Sequence, residues 1–171
     1  GYDHFYTYGV DGLIHIVSKR AYALVVPNGA DVNIDAGDYL EIADLGSSPT
    51  AGHGLLEEAG STTGTTFTDD TVAQAEESVT MGSGAYKVPA NDVAIGATTI
   101  TMGTGDIATM DLDEGDLILL EDITGDLQVN AVAGLTSTVI TLVKPSTVAL
   151  SHNANDLVTK IFQCKVRTGK F

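Results

Sequence analysis

Asp111, Asp113, Glu114 and Asp116 crowd four carboxylates into one short stretch, and oxygen ligands at that density could serve Ca²⁺, a hard cation that takes several of them. The spacing departs from the helix–loop–helix calcium loop, which needs Gly at its sixth position and Glu at its twelfth. A structural reading competes and is favoured, because a turn Asp commonly accepts hydrogen bonds from the backbone of its own turn. Repetition strengthens it. The segment DLDEGDLILLEDITG, Asp111 to Gly125, has a second version 78 positions earlier, VNIDAGDYLEIADLG from Val32 to Gly46. Asp35, Gly37, Asp38 and Asp44 match Asp113, Gly115, Asp116 and Asp122. Each copy predicts a tight turn, shaped by Gly37-Asp38 or Gly115-Asp116, that launches a half-buried strand. No cofactor is expected, and Asp111, Asp113 and Asp116 are the only metal candidates.

Other chemistry finds less support. His4, His15, His53 and His152 stand far apart, with neither an H-x-H pair nor an H-E-x-x-H helix to build a zinc or general-base site. No Ser occupies a G-x-S-x-G elbow, and Cys164 has only Lys165 beside it as an activating group. Strand alternation turns Phe162, Cys164 and Val166 one way and Gln163, Lys165 and Arg167 the other, so Cys164 reads as a small buried hydrophobe. Gly103-x-Gly105 opens no helix, and no P-loop or dinucleotide fingerprint is present. Glu57-Glu58 and Glu76-Glu77 read as solvated faces. The expectation is a non-enzyme; a hydrolase using two clustered carboxylates is the remotest alternative.

These residues need elements to hold them, and composition points to strands. The chain has 171 residues, 43% of them apolar, enough to bury a real core. Asp outnumbers Glu by 16 to 7, Gly is frequent and Trp is absent, which suits turns and strands better than helices and gives a weak hint of a salty medium. The formal charge of −15, from 23 Asp and Glu against 8 Lys and Arg, argues against a nucleic-acid partner. One cysteine excludes an internal disulfide framework. No apolar run is long enough for a membrane helix and no secretion or lipidation signal is visible, so a soluble chain with no membrane partner is expected.

The expected fold is all-β, mainly antiparallel barrel or sandwich modules, with one short helix. Strands are predicted at Leu13–Val17, Ala21–Val26, Asp38–Ile42, Thr98–Met102, Asp116–Leu120, Leu127–Val132, Thr138–Val143 and Leu157–Val166. Residues 46–64 read as a long loop or excursion, and Val72, Ala75, Glu76 and Val79 share a helical face behind Asp69-Asp70, which places the helix there. Gly82-Ser83-Gly84 divides an N-terminal module, residues 1–84, from a C-terminal barrel-like module, 85–171, whose last strand is free to return to the first.

Two groups of residues look outward. Tyr2, Phe5, Tyr6 and Tyr8 make an aromatic start that either lines the core or sits on a neighbour. Five of the 8 cations, Lys144, Lys160, Lys165, Arg167 and Lys170, lie in the last 28 residues, and Lys19-Arg20 lies near the start. If the two ends share a sheet, the result is a basic edge on an acidic body, which would either orient the protein on an acidic partner or guard an edge strand. Lys165 and Arg167 join the aromatics as candidate partner contacts.

A resemblance follows from VAIGATTITM (93–102) and DEGDLILLEDITGDLQVNAVAGLTSTVITLVKPSTVALSHNANDLV (113–158). This pattern resembles the small β modules of tailed-virus head proteins: a strand opening on Gly-Ala-Thr, a Gly-Asp turn into an apolar strand, a Thr-rich strand before Pro145, and a closing turn with His152 and Asn153. IDAGDYLEIADLG (34–46) is similar to capsid decoration, or cement, proteins. The resemblance implies a structural protein of the virion's outer surface, made in the host cytoplasm. It further implies the major capsid protein as partner and self-association as a homotrimer. A carbohydrate- or host-receptor-binding β module is the alternative, and it would require exposed aromatics on a loop or sheet face.

Overall fold

Apolar side chains recurring every second residue account for nearly all the regular structure of this chain. The computed structural model describes residues 6–8, 12–14, 21–26, 33–43, 55–59, 67, 70–80, 86–154 and 156–168. In order these give β1 (Tyr6–Tyr8), β2 (Gly12–Ile14), β3 (Ala21–Val25), β4 (Asn33–Ile34), β5 (Tyr39–Ile42), β6 (Leu56–Glu58), β7 (Thr71–Ala75), β8 (Val79–Thr80), β9 (Tyr86–Lys87) and β10 (Thr99–Thr101). A one-turn helix, α1 (Asp106–Thr109), is followed by β11 (Leu117–Glu121), β12 (Leu127–Leu135), β13 (Val139–Leu142) and β14 (Leu157–Arg167). The all-β expectation with one short helix holds, and the helix lies elsewhere than predicted.

The 71–80 segment is the correction. It forms β7 and β8, because Ala73 and Ala75 alternate into a core while Thr71, Val72 and Gln74 are only partly covered. The helix forms instead at Asp106 with Gly105 as its N-cap, so Gly103-x-Gly105, expected to open no helix, opens this single turn, and Ile107 and the following Met110 join a second core. Within residues 46–64, expected to be a long loop or excursion, Leu56–Glu58 forms β6, and Glu58 is buried rather than solvated.

β14 organises everything else. Its second half pairs antiparallel with β3, from Phe162↔Val25 to Val166↔Ala21, and with β7 at Val166↔Ala75 and Arg167↔Gln74. β3 runs parallel to β6, β6 antiparallel to β5, and β5 antiparallel to β7, so the ring β14–β3–β6–β5–β7 closes into a five-stranded mixed barrel. The interior of so few strands is narrow. It is filled by Val25, Ile34, Leu40, Leu56, Ala73, Ala75, Cys164 and Val166, with β7 contributing the small side chains Ala73 and Ala75.

The first half of β14 belongs to another sheet. There Leu157–Ile161 pairs with β11 on one edge, Val158 and Thr159 pair with β9 on the other, and β12, β13 and β10 continue outward. Ile118, Leu120, Val132, Ile140, Leu142 and Val158 build the core of this half. Leu119 and Ile161 turn to the opposite face and pack with Val26 and Ala43 from the barrel side. β11 is therefore covered on both faces, which explains why LILLE is apolar almost throughout. At about 1.5–3 kcal/mol for each large aliphatic side chain buried, this shared seam ties barrel and sheet together firmly.

Candidate interaction surface

The two matching turns have the same geometry. The N–H of Asp35 donates to Asp38 Oδ2 at 2.6 Å, and that of Asp113 to Asp116 Oδ2 at 2.8 Å. Gly37 and Gly115 take φ of 107° and 93°, values that L side chains rarely adopt. Their N–H groups bond to the carbonyls of Ala75 and Val132, and Ala75 and Val132 return bonds to Asp38 and Asp116. Each turn thus stitches the start of one strand to a partner strand, β7 in the barrel and β12 in the sheet.

The calcium candidates meet an ammonium group. Lys160 Nζ lies 2.9 Å from Asp116 Oδ2, donates to the carbonyl of Asp111, and sits 5.4 Å from the centre of the Phe162 ring. Asp111 has φ of 51°, a strained value for a residue with a side chain. A bound cation would have to displace the ammonium, and among the described residues no three His, Cys, Asp or Glu side chains are grouped to hold a metal ion.

Other polar groups act as struts. Buried Asp156 accepts from the N–H of Ile123 at 2.8 Å and of Ser151 at 2.6 Å, joining two loops at the start of β14. Asp92 Oδ1 holds the N–H and Nδ1 of His152 at 3.0 and 2.7 Å, and the side-chain bond is the main reason its carboxyl stays below the ordinary carboxylate range. Cys164 is fully buried; burial and the nearby Glu77 push its thiol up to about 11, so it offers no thiolate at neutral pH. Sequence reasoning missed Asp156, whose only signal was an acidic residue directly before an apolar strand.

The outside of the barrel carries a different set of residues. Tyr22 on β3 is directly opposite Lys165 on β14, and Arg167 on β14 is opposite Gln74 on β7, which is opposite Tyr39 on β5. Directly opposed residues share a face, so Tyr22, Lys165, Arg167, Gln74 and Tyr39 form one band across four adjacent strands. Tyr22 is 70% exposed. Phe67, 54% exposed, packs edge-on to Tyr39 with ring centres 5.6 Å apart. Part of this band borders a shallow groove of about 420 Å³, lined by Ala36, Gly37, Gln74, Ala75, Glu76, Lys165 and Arg167. Arg167 donates to Gln74 Oε1, Gln74 Nε2 donates to the Gly37 carbonyl at 2.7 Å, and Glu76 lies 3.9 Å from Lys165 Nζ.

Lys165 and Arg167 therefore fall on one face and in one groove. Two related expectations need correction. β14 has neighbours on both sides, β11 and β3 along Leu157–Val166 and β9 and β7 at Val158, Thr159, Val166 and Arg167, so it is an interior strand and not the sheet edge that a lysine guard would protect. Glu76 and Glu77 are not simply solvated: Glu77 Oε1 accepts the Lys165 N–H at 2.8 Å, and Glu76 faces the Lys165 ammonium. Tyr2, Phe5, Lys19, Arg20, Asp44 and Lys170 lie outside the described residues, as do the His4, His15 and His53 positions. Tyr6 and Tyr8 are placed only as members of β1, paired with β2.

A second exposed apolar face lies on the sheet. Leu127 and Val129 of β12 are exposed, as are Val143, which follows the end of β13 and whose N–H donates to the Ala131 carbonyl, and Ile123 in the turn before β12. Among the described residues no helix is long and apolar enough to cross a membrane. Comparison with known protein families, with curated proteins and with solved structures finds no match.

Proposed function

We propose that this chain is a structural, non-enzymatic virion protein that decorates the outer surface of a capsid shell and stabilises it. The observation that carries this reading is the outward band of Tyr22, Lys165, Arg167, Gln74 and Tyr39, laid across four strands of a closed barrel. Tyr and Arg are the residue types that anchor protein interfaces, and here they stand on hydrogen-bonded strands of a closed barrel. The sequence resemblance to tailed-virus head modules implies the partner, the major capsid protein. The apolar face at Leu127 and Val129 gives the molecule a second surface. Contacts to two shell subunits at once would couple them through effective concentration, so modest contacts suffice for a strong clamp. A homotrimer would match a threefold position on such a shell.

The test is co-sedimentation of the purified protein with undecorated capsids of the virus that encodes it. Saturable binding at a fixed ratio to the major capsid protein is expected, and absence from the pellet at every protein concentration would refute the proposal. Exposed Tyr22 and Phe67 favour one second reading, a carbohydrate-binding surface, since aromatic faces also stack on sugars. Glycan-array binding lost in Tyr22→Ala, together with no capsid binding, would select it.

A further inference from the structure

We propose that the groove lined by Gln74, Lys165 and Arg167 receives an extended acidic segment of a partner protein, with carboxylates at alternate positions. The proposal rests on the shell-binding reading and names the chemistry of the partner's contact. Lys165 and Arg167 stand two residues apart on one strand face, a repeat of about 6.8 Å. Carboxylates two apart on an extended peptide recur at the same distance, so a D-x-D arrangement matches the two cations in register.

Charge favours this occupant. Arg167 is held by the neutral amide of Gln74, which orients the guanidinium without neutralising it. Lys165 has Glu76 at 3.9 Å, the outer limit of an ion pair, and a closer carboxylate from outside could displace it. The body around them carries a formal charge of −15. An acidic segment is repelled by that body as a whole, so this cationic groove would fix its orientation. Exposed Tyr22, opposite Lys165, and Tyr39, opposite Gln74 and packed against Phe67, offer apolar anchors on the strands next to the charges.

The probe is a capped peptide of alternating Asp and Ala with one central Tyr, compared with the same peptide carrying Asn for Asp, followed by amide chemical shifts in the full chain. The Asp peptide should shift the amides of Tyr22, Gln74, Lys165 and Arg167, while the Asn peptide should not. Arg167→Glu with Lys165→Glu should weaken binding at least tenfold, and added salt should weaken it in the wild type. If the charge reversals unfold the barrel, Arg167→Gln with Lys165→Gln provides the same comparison. No shifts at millimolar peptide, or shifts unchanged by the substitutions, would overturn the proposal. A substitution that lowers the mass of a self-assembled species while leaving peptide shifts intact would also overturn it, assigning the groove to a second copy. The two readings separate cleanly: peptide binding without capsid binding removes the shell, and capsid binding unaffected by the substitutions removes the groove.

Discussion

Gly115 shows how one residue serves a whole half of the molecule. A Cβ built there meets nothing within 4 Å, so a substitution loses stability through backbone conformation alone. Gly115→Val should cost about 1–2 kcal/mol in urea denaturation, and Gly115→Asn should cost less because Asn tolerates the left-handed region better. Wild-type stability in the Val variant would show that φ there is free to change. Asp122 makes a second prediction. Burial raises its carboxyl, but bonds from Thr124 and the Asp126 N–H outweigh that and hold it below the ordinary carboxylate range. A folded value below the unfolded one means its contribution is complete above about pH 4 and is lost as pH falls through the folded value. Asp122→Asn should therefore cost about 1 kcal/mol at pH 7 and progressively less at acid pH, as the carboxyl is protonated through its lowered folded value. An equal cost at neutral and acid pH would contradict the assignment. The Gly-Asp turns were readable because the chain states them twice, whereas Lys160 meeting Asp116 was not, since nothing local links residues so distant in sequence.

Among the elements, β14 carries the most. Ile161 lies in the seam with Leu119, Val26 and Ala43, so Ile161→Ala should cost about 2–5 kcal/mol and loosen both halves together. Hydrogen exchange at Val25 in the barrel and Ile118 in the sheet should speed up in parallel; faster exchange at one alone would mean the seam does not couple them. The longer strands were legible from period-two patterning, including the inward turn of Cys164 and the outward turn of Lys165 and Arg167. β7 was not, because over five residues Val72 and Ala75 fit a helical period as well as a strand's. What decides the outcome is tertiary: Ala73 and Ala75 are small enough to fill a narrow barrel. β4, β6, β8 and β9 are too short to show any period, and the barrel's closure depends on β14 meeting β3 from the far end of the chain.

For the molecule as a whole, the central claim is that an acidic body uses a few outward residues to hold a shell. If the aromatic start helps anchor an assembly, deleting residues 1–8 should lower the mass measured by light scattering while the remaining chain keeps its circular dichroism. Unchanged mass would remove that role. The most direct measurement of the claim is the temperature at which undecorated capsids release their contents, with and without saturating protein. The account predicts a higher release temperature with the protein present, and a smaller rise with the Lys165→Glu, Arg167→Glu variant. Capsids that bind the protein in full yet release at the same temperature would contradict it.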